Sequence, residues 1–181
     1  MENNTFIVIP AFNEEKSIDN VLKELKENNY NNIVVVDDGS QDNTSKIAES
    51  HNTHVLRHSF NRGQGASLKT GMDYALQQNA SIIVTFDADG QFKVSEIRKM
   101  IEPVYNKEVD VTLGSRFLGS TENIPKLKKL TLKGGILFTY LFSNIKLTDT
   151  HNGFKAISRE AAKKMNISQD RMAHASEMID E

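Results

Sequence analysis

Apolar runs without polar alternation recur along this chain, each followed by a helical pattern, and that rhythm limits its possible folds more than any other feature. The clearest runs are Thr5-Phe6-Ile7-Val8-Ile9, stopped by Pro10, then Asn32-Ile33-Val34-Val35-Val36 and Ser81-Ile82-Ile83-Val84-Thr85-Phe86. A strand that is apolar at odd and even positions alike must be buried on both faces. Between the first two runs, Ile18, Val21, Leu22 and Leu25 fall at helical spacing and predict an amphipathic helix ending near Asn28-Asn29. Asp42-Asn43-Thr44 caps a short helix through Ile47 and Ala48, and His54 to His58 reads as a weaker strand. Leu68, Met72, Ala75 and Leu76 predict a helix from about Gln64 to Gln78, and Val94, Ile97, Met100, Ile101 and Val104 predict another, leading to a strand from Val109 to Leu113. Such a chain is an α/β fold, a mainly parallel sheet with helices on both faces. Ligands of such sheets bind beyond the carboxyl ends of the strands.

After Gly114 the rhythm breaks. Ser115 to Asn123 reads as a loop, Lys126 to Phe142 as a basic then apolar helix, Asp149 to Phe154 as polar and turn-like, and the stretch from Ser158 with Ala161, Ala162 and Met165 as a helix. With 181 residues the expectation is a single domain, a nucleotide-binding half over about 1–90 and an acceptor half over about 91–181. Glu181 falls in what reads as mid-helix, so the expected parent chain is longer at its C-terminus. Lys plus Arg number 22 against 24 Asp plus Glu, a net charge of −2, which gives no global electrostatic case for nucleic acid. Zero Cys excludes a disulfide scaffold and any thiolate site, and suits the cytoplasm. The first residues lack a secretory pattern, and the most apolar stretch, Gly134 to Phe142, falls short of the roughly 20 residues a membrane helix needs.

Chemistry concentrates in the acids. Asp37-Asp38-Gly39-Ser40 ends the second strand and Asp87-Ala88-Asp89-Gly90 the fourth, so two acidic pairs share the ligand edge of the sheet. In an extended chain Asp87 and Asp89 point the same way and offer hard oxygen ligands to Mg²⁺ or Mn²⁺. Magnesium shares itself between one or two carboxylates and substrate phosphates, so a diphosphate is the natural partner. Asp and Gly after a strand also simply build turns, and that reading stays open for either pair alone. The first strand leads into Pro10-Ala11-Phe12-Asn13-Glu14-Glu15, with neither a dinucleotide-binding glycine turn nor a P-loop. Asn61-Arg62-Gly63-Gln64-Gly65 precedes the third helix, where Arg62 and the glycine amides could approach an anion. His51, His54, His58 and His174 stand at no metal-ligand spacing to an acid and read as surface or core residues.

Taken in order, Pro10-Ala11-Phe12-Asn13-Glu14, Val35-Val36-Asp37-Asp38-Gly39-Ser40, Asn61-Arg62-Gly63, Asp87-Ala88-Asp89-Gly90-Gln91 and Gly114-Ser115-Arg116-Phe117 resemble a family 2 glycosyltransferase. The branch it is most similar to is that of the dolichyl- and polyprenyl-phosphate sugar transferases. The resemblance runs from Phe6 to about Ala156 and implies a GT-A (Rossmann-like) fold, a GDP- or UDP-sugar donor, a divalent metal and inversion at the anomeric carbon. It implies a nucleotide pocket of Pro10, Ala11, Asn13, Glu14, Arg62, Gly63 and Ala88, with Asp37 and Asp38 on base and ribose. Asp87 would meet the nucleotide or its metal, Asp89 and Gln91 would hold the metal, and Arg116 with Ser115 would face the acceptor phosphate. Thr148 to Lys155 resembles the family's Asp-x-x-x-Gly-Phe segment, with Lys155 where an Arg is usual, so a bidentate phosphate clamp is weakened there.

A metal at Asp89 would neutralise charge on the departing nucleoside diphosphate. A lipid phosphate acceptor is already ionised and needs no general base, whereas a saccharide hydroxyl would need one, with Asp149, His151 and Glu177 as candidates. The helix from Lys126 could rest in a membrane interface at the inner face of the plasma membrane, or be an ordinary helix with a solvated lysine face. An aspartate-nucleophile phosphatase would want Thr or Val where Gln91 stands. A receiver-like module would want its acid pair after the first strand. A nucleotide-sugar-binding domain without activity remains the alternative of another class.

Overall fold

The structure is a computed structural model and describes residues 4–114 and 153–165. Its elements are β1 (Thr5–Ala11), α1 (Ile18–Glu27), β2 (Ile33–Asp37), α2 (Thr44–Ser50), β3 (His54–Arg57), α3 (Gln64–Gln77), β4 (Ile82–Thr85), a 3₁₀ turn (Val94–Glu96), α4 (Ile97–Tyr105), β5 (Val111–Leu113), β6 (Lys155–Ser158) and α5 (Arg159–Lys164). They build a six-stranded sheet in the order β3-β2-β1-β4-β6-β5.

Pairing is parallel from β3 through β2 and β1 to β4, as the buried runs predict. β6 was not anticipated: it inserts antiparallel between β4 and β5, with Thr85 opposite Lys155 and Thr112 opposite Ala156. Alternate residues divide between two cores. Ile7, Ile9, Ile33, Val35, Ile82 and Val84 pack with α1 and α4, while Phe6, Val8, Val34, Val36 and Ile83 pack with α3 and α5. Continuous apolar strands were therefore required on physical grounds, because both faces are covered. On the second face α3 comes so close that a methyl group on Gly71 would collide with the Val8 side chain.

Helix ends follow a local rule. Asn29, Asn52, Asn79 and Lys107, each just past a helix, take a left-handed backbone with φ of 67, 54, 61 and 60°. After α1, Asn29 N donates to Lys26 O and Tyr30 N to Leu25 O; α3 repeats this with Asn79 to Leu76 and Ala80 to Ala75, and α4 with Lys107 to Val104 and Glu108 to Pro103. These are Schellman closures, for which Asn is the usual stand-in for Gly. After α2 the Thr53 hydroxyl takes the place of an amide, donating to Ala48 O at 2.8 Å.

β1 runs two residues past the predicted stop. Pairing with β4 ends at Val8 and Thr85, whereas pairing with β2 continues to Ala11 and Asp37. Backbone groups of alternate residues face the same neighbour, so Pro10 faces the β4 side, as Val8 does, and its missing N–H falls where the partner strand has already parted. The two central strands diverge there and open a cleft.

Candidate active site

The cleft, about 380 Å³, lies at the carboxyl ends of β1, β2 and β4 beside the start of α3. Pro10, Ala11, Phe12 and Glu14 line it from the β1 side, Asp38 from β2, Asn61, Gly63, Gln64 and Ser67 from the approach to α3, and Asp87, Ala88 and Asp89 from β4.

Loops forming the rim are pinned to one another. Asn13, at φ 56°, donates from its amide to Ser40 Oγ at 2.9 Å and accepts on Oδ1 from Gln41 N at 2.9 Å. Glu14 N donates to Thr44 Oγ1 at 2.8 Å. Asn13 thus shapes the wall and does not line the cleft. Desolvation pushes the nearby Asp42 carboxyl up, but hydrogen bonds from Thr44 and Glu15 outweigh it and hold the group below the usual carboxylate range. Gly39, at φ 78°, passes so near the β3–α3 loop that a Cβ would stand 2.8 Å from the Phe60 carbonyl carbon. Only glycine fits that turn.

The two acids of β2 separate. Asp37 is wholly buried: its carboxylate accepts from Ser40 N at 2.8 Å and from Ser45 Oγ, and pairs with Arg57 Nε at 3.3 Å. It braces the β2–α2 turn from inside. Asp38 does line the cleft, with Oδ1 accepting from His58 Nδ1 at 2.7 Å and Arg62 N at 2.9 Å and Oδ2 accepting from Gly63 N at 2.7 Å. The backbone amides of Arg62 and Gly63 are thereby directed to Asp38. The amides of Gln64, Gly65 and Ala66 precede the first intrahelical bond of α3, which Ser67 N makes to Gly63 O at 3.1 Å.

The acids of β4 stay together, though not as an extended pair. The strand ends at Thr85 and residues 87–90 form a turn with Gly90 at φ 72°. Asp87 is half-buried and Asp89 exposed, and both face the cleft. Gln64 Nε2 donates to Asp87 Oδ1 at 3.1 Å, coupling α3 to β4. Gln91 lies outside the lining, its amide donating to Asp89 Oδ1 at 3.0 Å. Beneath the turn, Phe86 and Phe154 meet edge to face at 5.5 Å and Phe92 lies tilted at 37° against Phe154 at 5.3 Å. A Cβ on Gly153 would stand 2.5 Å from both Asp87 oxygens, so the Gly-Phe pair is shaped by that carboxylate.

Lys155 follows on β6, only 3% exposed. It is enclosed within reach of the Asp87 charge. Burial pushes its ammonium down to about 8, and the Asp87 carboxylate pulls it the other way. Arg116, Ser115, Asp149, His151 and Glu177 lie outside the described residues, as does the basic helix predicted from Lys126. Phe12, Gln64 and Ser67 were missed. Phe12 and Gln64 sit inside motifs already singled out, while nothing in the sequence marks Ser67.

The model of the glycosyl transferase family 2 matches residues 6–165. The chain belongs to that family. Membership makes it a glycosyltransferase, and an uncharacterised protein of Methanocaldococcus jannaschii is 44% identical to it over 98% of this chain and 75% of that protein. A UDP-N-acetylglucosamine–dolichyl-phosphate N-acetylglucosaminyltransferase of Methanococcus voltae is 37% identical over 87% of this chain and 70% of that enzyme. Among solved structures, glucosyl-3-phosphoglycerate synthase from Mycobacterium tuberculosis, in complex with Mn²⁺, UDP-glucose and phosphoglyceric acid, superposes with a TM-score of 0.76 at 19% identity. That match covers 97% of this chain and 64% of the synthase, and it establishes the GT-A fold.

Proposed function

We propose that this glycosyltransferase moves a hexose, with inversion, from a nucleoside-diphosphate sugar to a polyprenyl or dolichyl phosphate. One observation carries the donor half: Asp38, the start of α3 and the Asp87–Asp89 turn meet in a single cleft where β1 and β4 part. Hard carboxylate oxygens and helix amides at one place suit a diphosphate accompanied by a divalent cation. Phe12, 44% exposed on the wall, offers an apolar face for a base.

Asp89 and Asp87 fit Mg²⁺ or Mn²⁺, which accept a pair of carboxylates and complete their shell with phosphate oxygens and water. Such an ion would act as a Lewis acid on the diphosphate leaving group. The chain's own residues do the rest. Gln64 holds Asp87 in place, the first turn of α3 presents amides to phosphate oxygens, and Pro10 to Phe12 bound the nucleoside end. A lipid phosphate attacks as an oxyanion, so no side chain has to take a proton.

The lipid acceptor is favoured by the relatives. Besides the M. voltae enzyme, a polyprenol monophosphomannose synthase of Mycolicibacterium smegmatis is 27% identical over 91% of this chain and 65% of that enzyme. No helix of the described residues is long and apolar enough to cross a membrane. A lipid acceptor requires contact with the membrane surface. That contact, at the cytoplasmic face, would fall to the basic helix predicted from Lys126.

The test is a donor panel. UDP- and GDP-sugars are offered with Mn²⁺ and a short polyprenyl phosphate, and a glycosylated lipid phosphate from one donor is expected. Transfer only to a saccharide hydroxyl would overturn the acceptor assignment.

A further inference from the structure

His58 directly follows β3, and its side chain is 8% exposed. Its Nδ1 lies 2.7 Å from Asp38 Oδ1 and its Nε2 3.0 Å from Thr70 Oγ1 on α3. An ionised carboxylate can only accept, so Nδ1 carries a proton directed at Asp38. The backbone is tied in as well, His58 N donating to Asp37 O at 2.9 Å. Asp38 is itself the support for the turn ahead of α3, taking the Arg62 amide on one oxygen and the Gly63 amide on the other. That turn needs support: Phe60, Asn61 and Arg62 are exposed, and Gly63 sits at φ 100° and ψ 163°, a conformation open essentially to glycine alone. Asp38 is only 3% exposed where it borders the cleft, so its carboxylate depends on protein donors rather than water, and His58 joins the two peptide amides in supplying them.

We propose that His58 is a positioning residue of the donor site: its Nδ1–H locks the Asp38 carboxylate in the orientation that carries the Arg62–Gly63 turn and so sets the first turn of α3 against the cleft. This rests on the donor reading above for its effect on ligand binding, though not for its effect on the turn. Thr70 Oγ1, whose hydroxyl donates to Ala66 O at 2.9 Å, contacts the far side of the imidazole from the same helix whose N-terminus is being placed.

The experiment compares wild type with His58→Leu and His58→Gln by amide hydrogen exchange and by titration with UDP and GDP in the presence of Mn²⁺. Leu25→Ala, in the core far from the cleft, serves as a control for general destabilisation. Losing one charge-assisted hydrogen bond predicts exchange at the Arg62 and Gly63 amides faster by about tenfold or more in His58→Leu, and nucleoside diphosphate binding weaker by about 10- to 100-fold. His58→Gln, which can still donate, recovers part of both. Nitrogen-15 spectra of the wild-type imidazole show a proton on Nδ1. Wild-type exchange and affinity in His58→Leu, an unprotonated Nδ1, or an equal loss of affinity in Leu25→Ala would each overturn the proposal. If wild type binds neither nucleotide, the donor reading falls, and the exchange rates of Arg62 and Gly63 decide the role of His58 on their own.

Discussion

Asp37 and Asp38 are chemically identical neighbours, yet one braces a turn from inside and the other borders the cleft, because successive side chains at a strand end leave on opposite sides. Asp89 is the exposed acid of the site, and Asp89→Asn is expected to reduce turnover by about a thousandfold, the several kcal/mol a metal ligand supplies, with thermal stability unchanged. Initial-rate assays beside a melting curve check this. Lys155 has the opposite environment. Its folded pKa, about 8, lies below the ordinary 10.5, so between those values the unfolded chain binds more protons and stability rises with pH. The gain is on the order of 3 kcal/mol by pH 10.5. Urea unfolding of metal-free protein across that range is expected to show the rise in wild type and to lose it in Lys155→Met. A flat wild-type profile would mean that the lysine reaches water.

Elements are closed by local chemistry and placed by packing. Lys107 bears a side chain in a left-handed position that Gly fills without strain, so Lys107→Gly is expected to stabilise by roughly 0.5–1 kcal/mol in chemical denaturation. Gly71 is the reverse case. Alanine would improve helix propensity by about 1 kcal/mol, but its methyl would collide with Val8, so Gly71→Ala is expected to destabilise by roughly 1–3 kcal/mol. Equal or greater stability would show that α3 can move away from the sheet. β6 belongs to this scale as well. Lys155-Ala156-Ile157-Ser158 is short, begins with a charge and reads as no strand alone, and it becomes one because β4 and β5 each offer it a ladder.

At the scale of the molecule, the cleft draws on three strand ends and one helix start, so a ligand there ties together segments far apart in sequence. A nucleoside diphosphate with Mn²⁺ at a hundred times its dissociation constant is expected to add about 2.7 kcal/mol of stability, measured as a rise in Tm. Asp87→Ala with Asp89→Ala is expected to remove the metal-dependent part of that rise.

Much of this was legible in the linear order of residues. Doubly buried strands, amphipathic helices and the acids after β2 and β4 are local signals, because periodicity and turn chemistry act over a few residues. Tertiary structure alone decided which acid of a pair reaches the cleft, that His58 and Asp38 meet across 20 positions of sequence, and that Lys155 lies inside beside Asp87. Those outcomes depend on strand register and on which backbones approach, and neither is encoded near the residues it affects.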